Sequence, residues 1–211
     1  SEQSMSVIQE RITPTPELAS EDRARAEHYA VLSRLFASAP DADFLQNLTA
    51  IAASLGNAES PLGIAWQGIG EAALTTSVDT LDEEYTRTFL TIGRPEVMLF
   101  GSFYIAGFMM EEPVVQLRDD LAELGLGRRF GITESEDHFA ALCDVMRHLI
   151  VTGPDAPGLA RQQLFFARHL APWVDTFADA LEKSQSTTFY SRTAPLLRAF
   201  FDVERLAFDM L

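Results

Sequence analysis

Apolar residues recur at three- and four-residue spacing along most of this chain, while alternating Val/Ile/Thr runs bounded by hairpin dipeptides are nearly absent. A period near 3.6 rather than 2 predicts an all-α fold, a bundle of eight or nine helices. The first helix is expected from Ser20, as N-cap, to Ala37, burying Val31, Leu32, Leu35 and Phe36. Pro40-Asp41 ends it. A second helix starts at Asp41 with Phe44, Leu45, Leu48 and Ile51, closed at Gly56-Asn57 as a C-terminal glycine cap would close it. Pro61 leads a third with Ile64, Ile69 and Leu74, and Leu81, Tyr85, Phe89 and Ile92 line one face of a fourth. Beyond the Gly93–Pro95 break come a short segment around 103–110 and a helix near 113–124. A stripe from Leu159 through Phe166, Leu170, Trp173 and Phe177 to Leu181 predicts a long helix kinked at Pro172. A last helix carries Leu197, Phe200, Phe201 and Phe208.

Thr133 and Glu136 have the S/T-x-x-E spacing of a capping box, so a helix is expected to open there and run through Phe139, Leu142, Cys143, Met146, Leu149 and Ile150. Glu134, Asp137 and His138 then lie in its first turn. The helix dipole favours acids in that turn but offers an imidazole nothing, so His138 needs a partner, a core niche or a function. Residues 125–133, with Gly125, Gly127 and Gly131, are the expected hinge. It joins a larger N-terminal part (20–124) to a smaller C-terminal part (134–211), behind a flexible tail (1–19). A glycine-rich joint before an amphipathic helix makes exchange of the C-terminal part between chains a low-cost route to dimers. Monomer and domain-swapped homodimer are both expected.

The chain has 31 acidic and 16 basic residues, a net charge of -15. That charge argues against nucleic acid and anionic membrane surfaces as partners and suits cationic ligands such as Arg- and Lys-bearing peptides. The single cysteine, Cys143, falls on an apolar helix face and reads as a buried thiol, which fits a reducing cytoplasm. The N-terminus lacks a signal-peptide layout. The longest uncharged apolar stretch, 97–110, is broken by Gly101, Ser102 and Gly107 and is too short to span a bilayer. It reads as a buried connector or as an apolar surface kept for a partner. Phosphate-binding loops, nucleophile elbows and metalloprotease motifs are missing. Glu134 and His138 share a helix face at i,i+4, but two ligands without a third make no metal site. Two readings stay open on the residues alone: a helical enzyme using Glu134 and His138 as acid and base, and a generic helical adaptor.

Three blocks together resemble the TorD/DmsD/NarJ family of redox-enzyme maturation chaperones, closest to its TorD and DmsD branch. The first is Tyr85-Thr86-Arg87-Thr88-Phe89 with Gly93, Pro95 and Gly101-Ser102-Phe103-Tyr104. The second is Glu134-Ser135-Glu136-Asp137-His138 with Leu142 and Met146, similar to the family's Glu-Pro-x-Asp-His motif. The third is Phe165-Phe166, His169-Leu170, Trp173 and Phe177 with Phe189-Tyr190. Ser135 stands where the family has Pro, Thr88 where it often has Leu, and Phe100 where Trp is common.

The resemblance implies a cytoplasmic chaperone, not an enzyme. Its partners would be the twin-arginine signal peptide and the apo form of an exported molybdenum reductase of the TMAO/DMSO type. The molybdopterin cofactor would belong to the client. Guanine-nucleotide binding is associated with some members, but this chain has no phosphate-binding loop, so no cofactor is expected. Two arginines followed by an apolar helix call for acids beside an apolar groove. Tyr85, Phe89, Phe100, Ser102 and Tyr104 would supply the groove, and Glu134, Glu136, Asp137 and His138 the polar part.

Overall fold

The computed structural model describes residues 17–107, 112–127 and 136–211. Those residues form α1 (Ser20–Ala37), α2 (Ala42–Leu55), α3 (Pro61–Leu74), α4 (Val78–Phe89), α5 (Gly101–Ala106), α6 (Glu112–Glu123), α7 (Phe139–Thr152), α8 (Ala156–His169), α9 (Val174–Lys183) and α10 (Thr193–Asp209). A 3-10 turn, Tyr190–Arg192, leads into α10. The described residues contain no strand, only an isolated antiparallel bridge between Phe100 and His138. The all-α expectation holds. Among the described residues there are ten helices where eight or nine were expected, because the 159–181 stripe is two helices. Pro172 has no amide to donate and its ring opposes the carbonyl four residues earlier, so α8 stops at His169 and α9 restarts at Val174.

Local signals set several boundaries. Asp41 accepts the Phe44 amide at 2.8 Å and caps α2, while Ser60 caps α3 in front of Pro61. Others differ from expectation. The N-cap of α1 is Ala19, and Ser20 instead donates its hydroxyl to Glu21. Gly56 closes α2 in an extended conformation, at φ -65°, rather than a left-handed one. Ile92 lies past the end of α4 and is fully exposed, and Ile64 and Leu74 face out from α3.

α7 packs along α1 and against α8, α3 lies against α2 and α10, and α9 lies against α10. Eight residues of α7, from Phe139 to Ile150, are buried, Cys143 among them. The core is continuous and includes Leu32 and Phe36 from α1, Trp66 from α3, Met146 from α7 and Phe201 from α10. At its centre the Phe36 ring meets Phe89, Phe139, Phe177 and Tyr190 at centroid distances of 5.2 to 6.0 Å. Edge-on and tilted arrangements of this kind add to the area each ring buries.

One charged network crosses this core. Glu204 of α10, fully buried, takes a bidentate pair from Arg25 at 2.6 and 3.0 Å and a third bond from the Tyr29 hydroxyl at 2.9 Å. Arg25 also reaches Gln162 of α8, so the network joins three helices. Desolvation works against the Arg25 charge, but the bonds to Glu204 outweigh it and the guanidinium pKa is raised.

Candidate functional site

The site begins on α4, which has two working faces. Inward, Tyr85 donates its hydroxyl to the Phe36 carbonyl at 2.8 Å, and Tyr190 donates to the Leu35 carbonyl at 2.7 Å. Two of the carbonyls left open at the end of α1 are thereby satisfied by phenols from distant elements. Outward, Asp82, Thr86 and Leu90 follow one another at four-residue intervals and so form one row.

Opposite α4 the chain runs extended into α5. Phe139 donates its amide to the Leu99 carbonyl at 2.8 Å, and Gly101 donates to the Asp137 carbonyl at 3.0 Å, on either side of the Phe100–His138 bridge. The Asp137 carboxylate accepts the Ser102 amide at 2.7 Å. This corrects the helix start expected at Thr133. α7 begins at Phe139 with His138 as N-cap, whose Nδ1 accepts the Ala140 amide at 3.0 Å. In the neutral ring the hydrogen is therefore on Nε2. Glu136, Asp137 and His138 precede the helix because 137–139 use their backbone groups on the entry to α5. Thr133 and Glu134 lie outside the described residues.

The third motif block supports the same entry from behind. Trp173 donates its indole N–H to the His169 carbonyl at 2.7 Å and packs against Gly101. A Cβ on Gly101 would lie 2.8 Å from Trp173 Nε1, so this position admits no side chain without movement of the indole. His169 reaches α6 through Nε2, 2.6 Å from Asp120. Burial outweighs that carboxylate and holds the imidazole pKa below its ordinary value. All three motif blocks thus meet at Gly101–Ser102.

In front of that junction lies a cleft of about 330 Å³. Its walls are the end of α1 (Ala37, Ser38, Ala39), the α4 residues Asp82, Tyr85, Thr86 and Phe89 with Leu90, and Leu99, Phe100 and His138. Four of the residues singled out from the sequence line it: Tyr85, Phe89, Phe100 and His138. Phe100 is half-buried, its ring edge-on to His138 at 5.1 Å. Tyr85 and Phe89 are buried and form the floor. Leu90 is 60% exposed at the rim.

The other expected site residues stand elsewhere. Ser102 and Asp137 are buried behind the wall. Tyr104 does not line the cleft: its hydroxyl bonds the Met98 carbonyl at 2.7 Å and its ring stacks on Trp173 at 5.3 Å. Burial pushes its phenol pKa up. Glu136 pairs with Arg118 of α6 at 2.9 Å. Glu134 lies outside the described residues. Sequence reasoning missed Asp82, Thr86, Leu90 and the end of α1. The four-residue spacing of the first three was a usable signal.

Among the described residues no group of three or more His, Cys, Asp or Glu is placed to hold a metal ion. No described helix is long and apolar enough to cross a membrane.

Comparison with known proteins adds an independent line. The sequence model of the family described as "Nitrate reductase delta subunit" matches residues 55–179. The chaperone protein TorD of Vibrio cholerae serotype O1 is 26% identical over 139 residues, 62% of this chain and 63% of that protein. TorD of Ferrimonas balearica is 26% identical over 138 residues, 64% and 63% of the two chains. The matches thus span less than two thirds of these relatives. A crystal structure from Archaeoglobus fulgidus, assigned as a redox enzyme maturation protein, superposes with a TM-score of 0.57 at 17% identity, covering 91% of this chain and 99% of that one. That likeness concerns the fold.

Proposed function

Because the chain belongs to the nitrate reductase delta subunit family, we propose that it is a maturation chaperone for an exported molybdoenzyme. It would bind the client's twin-arginine signal peptide and the apoenzyme in the cytoplasm, before cofactor insertion and export. The TorD relatives are named chaperones, which supports a binding role over an enzymatic one. The observation that carries the reading is the cleft itself. Tyr85, Phe89 and Phe100 of the first motif segment and His138 of the second share one apolar concavity, and Leu90 and Ile92 extend apolar surface past its rim. A short apolar groove of this kind suits the helix-in-groove mode, in which a few side chains of an amphipathic segment are anchored.

Chemistry is a poorer use of the site. His138 Nδ1 is committed to the Ala140 amide, and Asp137 is committed to the α5 entry. We assign Asp137, Ser102 and Tyr104 to shaping the wall, and Phe100, Phe89, Tyr85 and His138 to touching the client. The test is a pull-down with a synthetic twin-arginine signal peptide and its Lys-Lys variant. Capture of the first in preference to the second supports the reading. Capture of neither overturns it.

A further inference from the structure

The cleft is not uniform along its length. The row Asp82–Thr86–Leu90 runs down one wall from a carboxylate through a hydroxyl to an isobutyl group. Eight residues of helix at 1.5 Å rise span about 12 Å. At the carboxylate end, Asp82 has no hydrogen-bond or ion-pair partner among the described residues. Arg34, in the last turn of α1, does not line the cleft and is engaged by the end of its own helix. It bonds the Ser38 and Ala39 carbonyls at 3.2 to 3.4 Å, lies 3.4 Å from Asp41 and covers the Phe44 ring. Ala37, Ser38 and Ala39 border the cleft as well, on an end of α1 already capped by Arg34 and by the Tyr85 and Tyr190 phenols. The α4 wall thus offers a carboxylate without an ion partner among the described residues at one end and an exposed apolar side chain at the other.

Resting on the client-peptide reading above, we infer that Asp82 reads a cationic side chain of the bound segment, and that Leu90 seats its first apolar anchor. The distance between them sets a register. In an extended segment, at about 3.3 Å per residue, the cation and the anchor stand roughly four positions apart. In a helical segment they stand roughly eight apart. A guanidinium suits the site better than an ammonium, because it pairs bidentately with a carboxylate and sheds water more readily.

The experiment is fluorescence anisotropy with a labelled twin-arginine peptide and a version carrying Gln at both arginines. Each is titrated with the wild-type chain, Asp82→Asn, Asp82→Glu and Asp79→Asn at low and moderate salt. Asp79 is an exposed acid on the same helix that does not line the cleft. Asp82→Asn is expected to weaken the arginine peptide about two- to fivefold and leave the Gln peptide unchanged. The loss should shrink as salt rises. Asp82→Glu should retain most of the affinity and Asp79→Asn nearly all of it, with melting temperatures unchanged throughout. Inserting two residues between the arginines and the apolar segment should weaken binding to the wild type. Equal losses for both peptides, or equal effects of the two Asn variants, would overturn the Asp82 assignment and leave the cleft reading standing. A wild-type chain that binds neither peptide would overturn both.

Discussion

The Asp137 carboxylate accepts the Ser102 amide at 2.7 Å across 35 positions of sequence, with Asp137 only 4% exposed. A buried, charge-assisted bond of this kind fixes the entry to α5, and through it the position of Phe100. Removing the carboxylate should therefore destabilise the fold as well as the cleft. Asp137→Ala is expected to lower unfolding stability by about 1.5–3 kcal/mol, and Asp137→Asn, which keeps an acceptor oxygen, by less. Urea denaturation measures this. A loss below about 0.5 kcal/mol for the Ala variant, the range of ordinary surface changes, would contradict the assignment.

Gly101 and Gly68 offer a matched contrast. Gly101→Ala places a methyl 2.8 Å from the Trp173 indole nitrogen, itself bonded to His169, and should cost about 1–3 kcal/mol. Gly68 sits inside α3 with its nearest obstacle, the flexible end of Arg192, at 3.8 Å. Gly68→Ala should instead stabilise by about 0.5–1 kcal/mol. Thermal unfolding of the two variants beside the wild type decides the matter. The same sign for both would contradict the packing described at Gly101.

Stability should fall on mild acidification. His28 donates Nδ1–H to the Ala24 carbonyl at 2.8 Å, accepts the Trp66 indole N–H on Nε2 at 3.1 Å and stacks on Phe200. Burial holds its pKa below the ordinary value, so the folded state binds fewer protons here than the unfolded one. The contribution is fully present above the unfolded value near 6.5 and is lost as pH falls through the lower folded value. His169 adds in the same direction. Denaturation at several pH values between about 7 and 5 should show a decline that is shallower in His28→Gln. An identical slope in that variant would contradict the tautomer described.

Much of this fold was legible because its signals are local. Asp41, Ser60 and Pro61 act within one turn of where they stand, and α1 ends at Ala37 as its apolar spacing implied. The helix start expected around Glu136 gives way to a non-local arrangement, in which 137–139 bond to 99–102 before α7 begins at Phe139, and Thr133 lies outside the described residues. The cleft was half legible. Tyr85, Phe89, Phe100 and His138 were named from motif resemblance, but α4 was read only through its apolar row, Leu81–Tyr85–Phe89. The facing row, Asp82–Thr86–Leu90, gains meaning only once the end of α1 and the 99–100 segment close the other walls.

The joint between α6 and α7 bears on oligomeric state. α7 packs along α1, so a C-terminal part exchanged between chains would bury the same surfaces on the partner's α1. Monomer and dimer are both expected in size-exclusion chromatography with light scattering at high concentration and mildly acidic pH. A strictly monomeric population under those conditions would contradict exchange.

If the cleft between α4 and Phe100 holds the client's signal peptide, as proposed, photo-crosslinking will capture the peptide there. A benzophenone amino acid is placed at Leu90, at the rim, and separately at Leu206, an exposed apolar residue of α10 that does not line the cleft. Each protein is irradiated with a twin-arginine peptide, with and without Phe100→Ser. A crosslink is expected from position 90 to the peptide's apolar segment, with its loss in Phe100→Ser without loss of helical content, and none from position 206. A crosslink from 206 alone, or one from 90 that survives Phe100→Ser undiminished, would contradict the proposal.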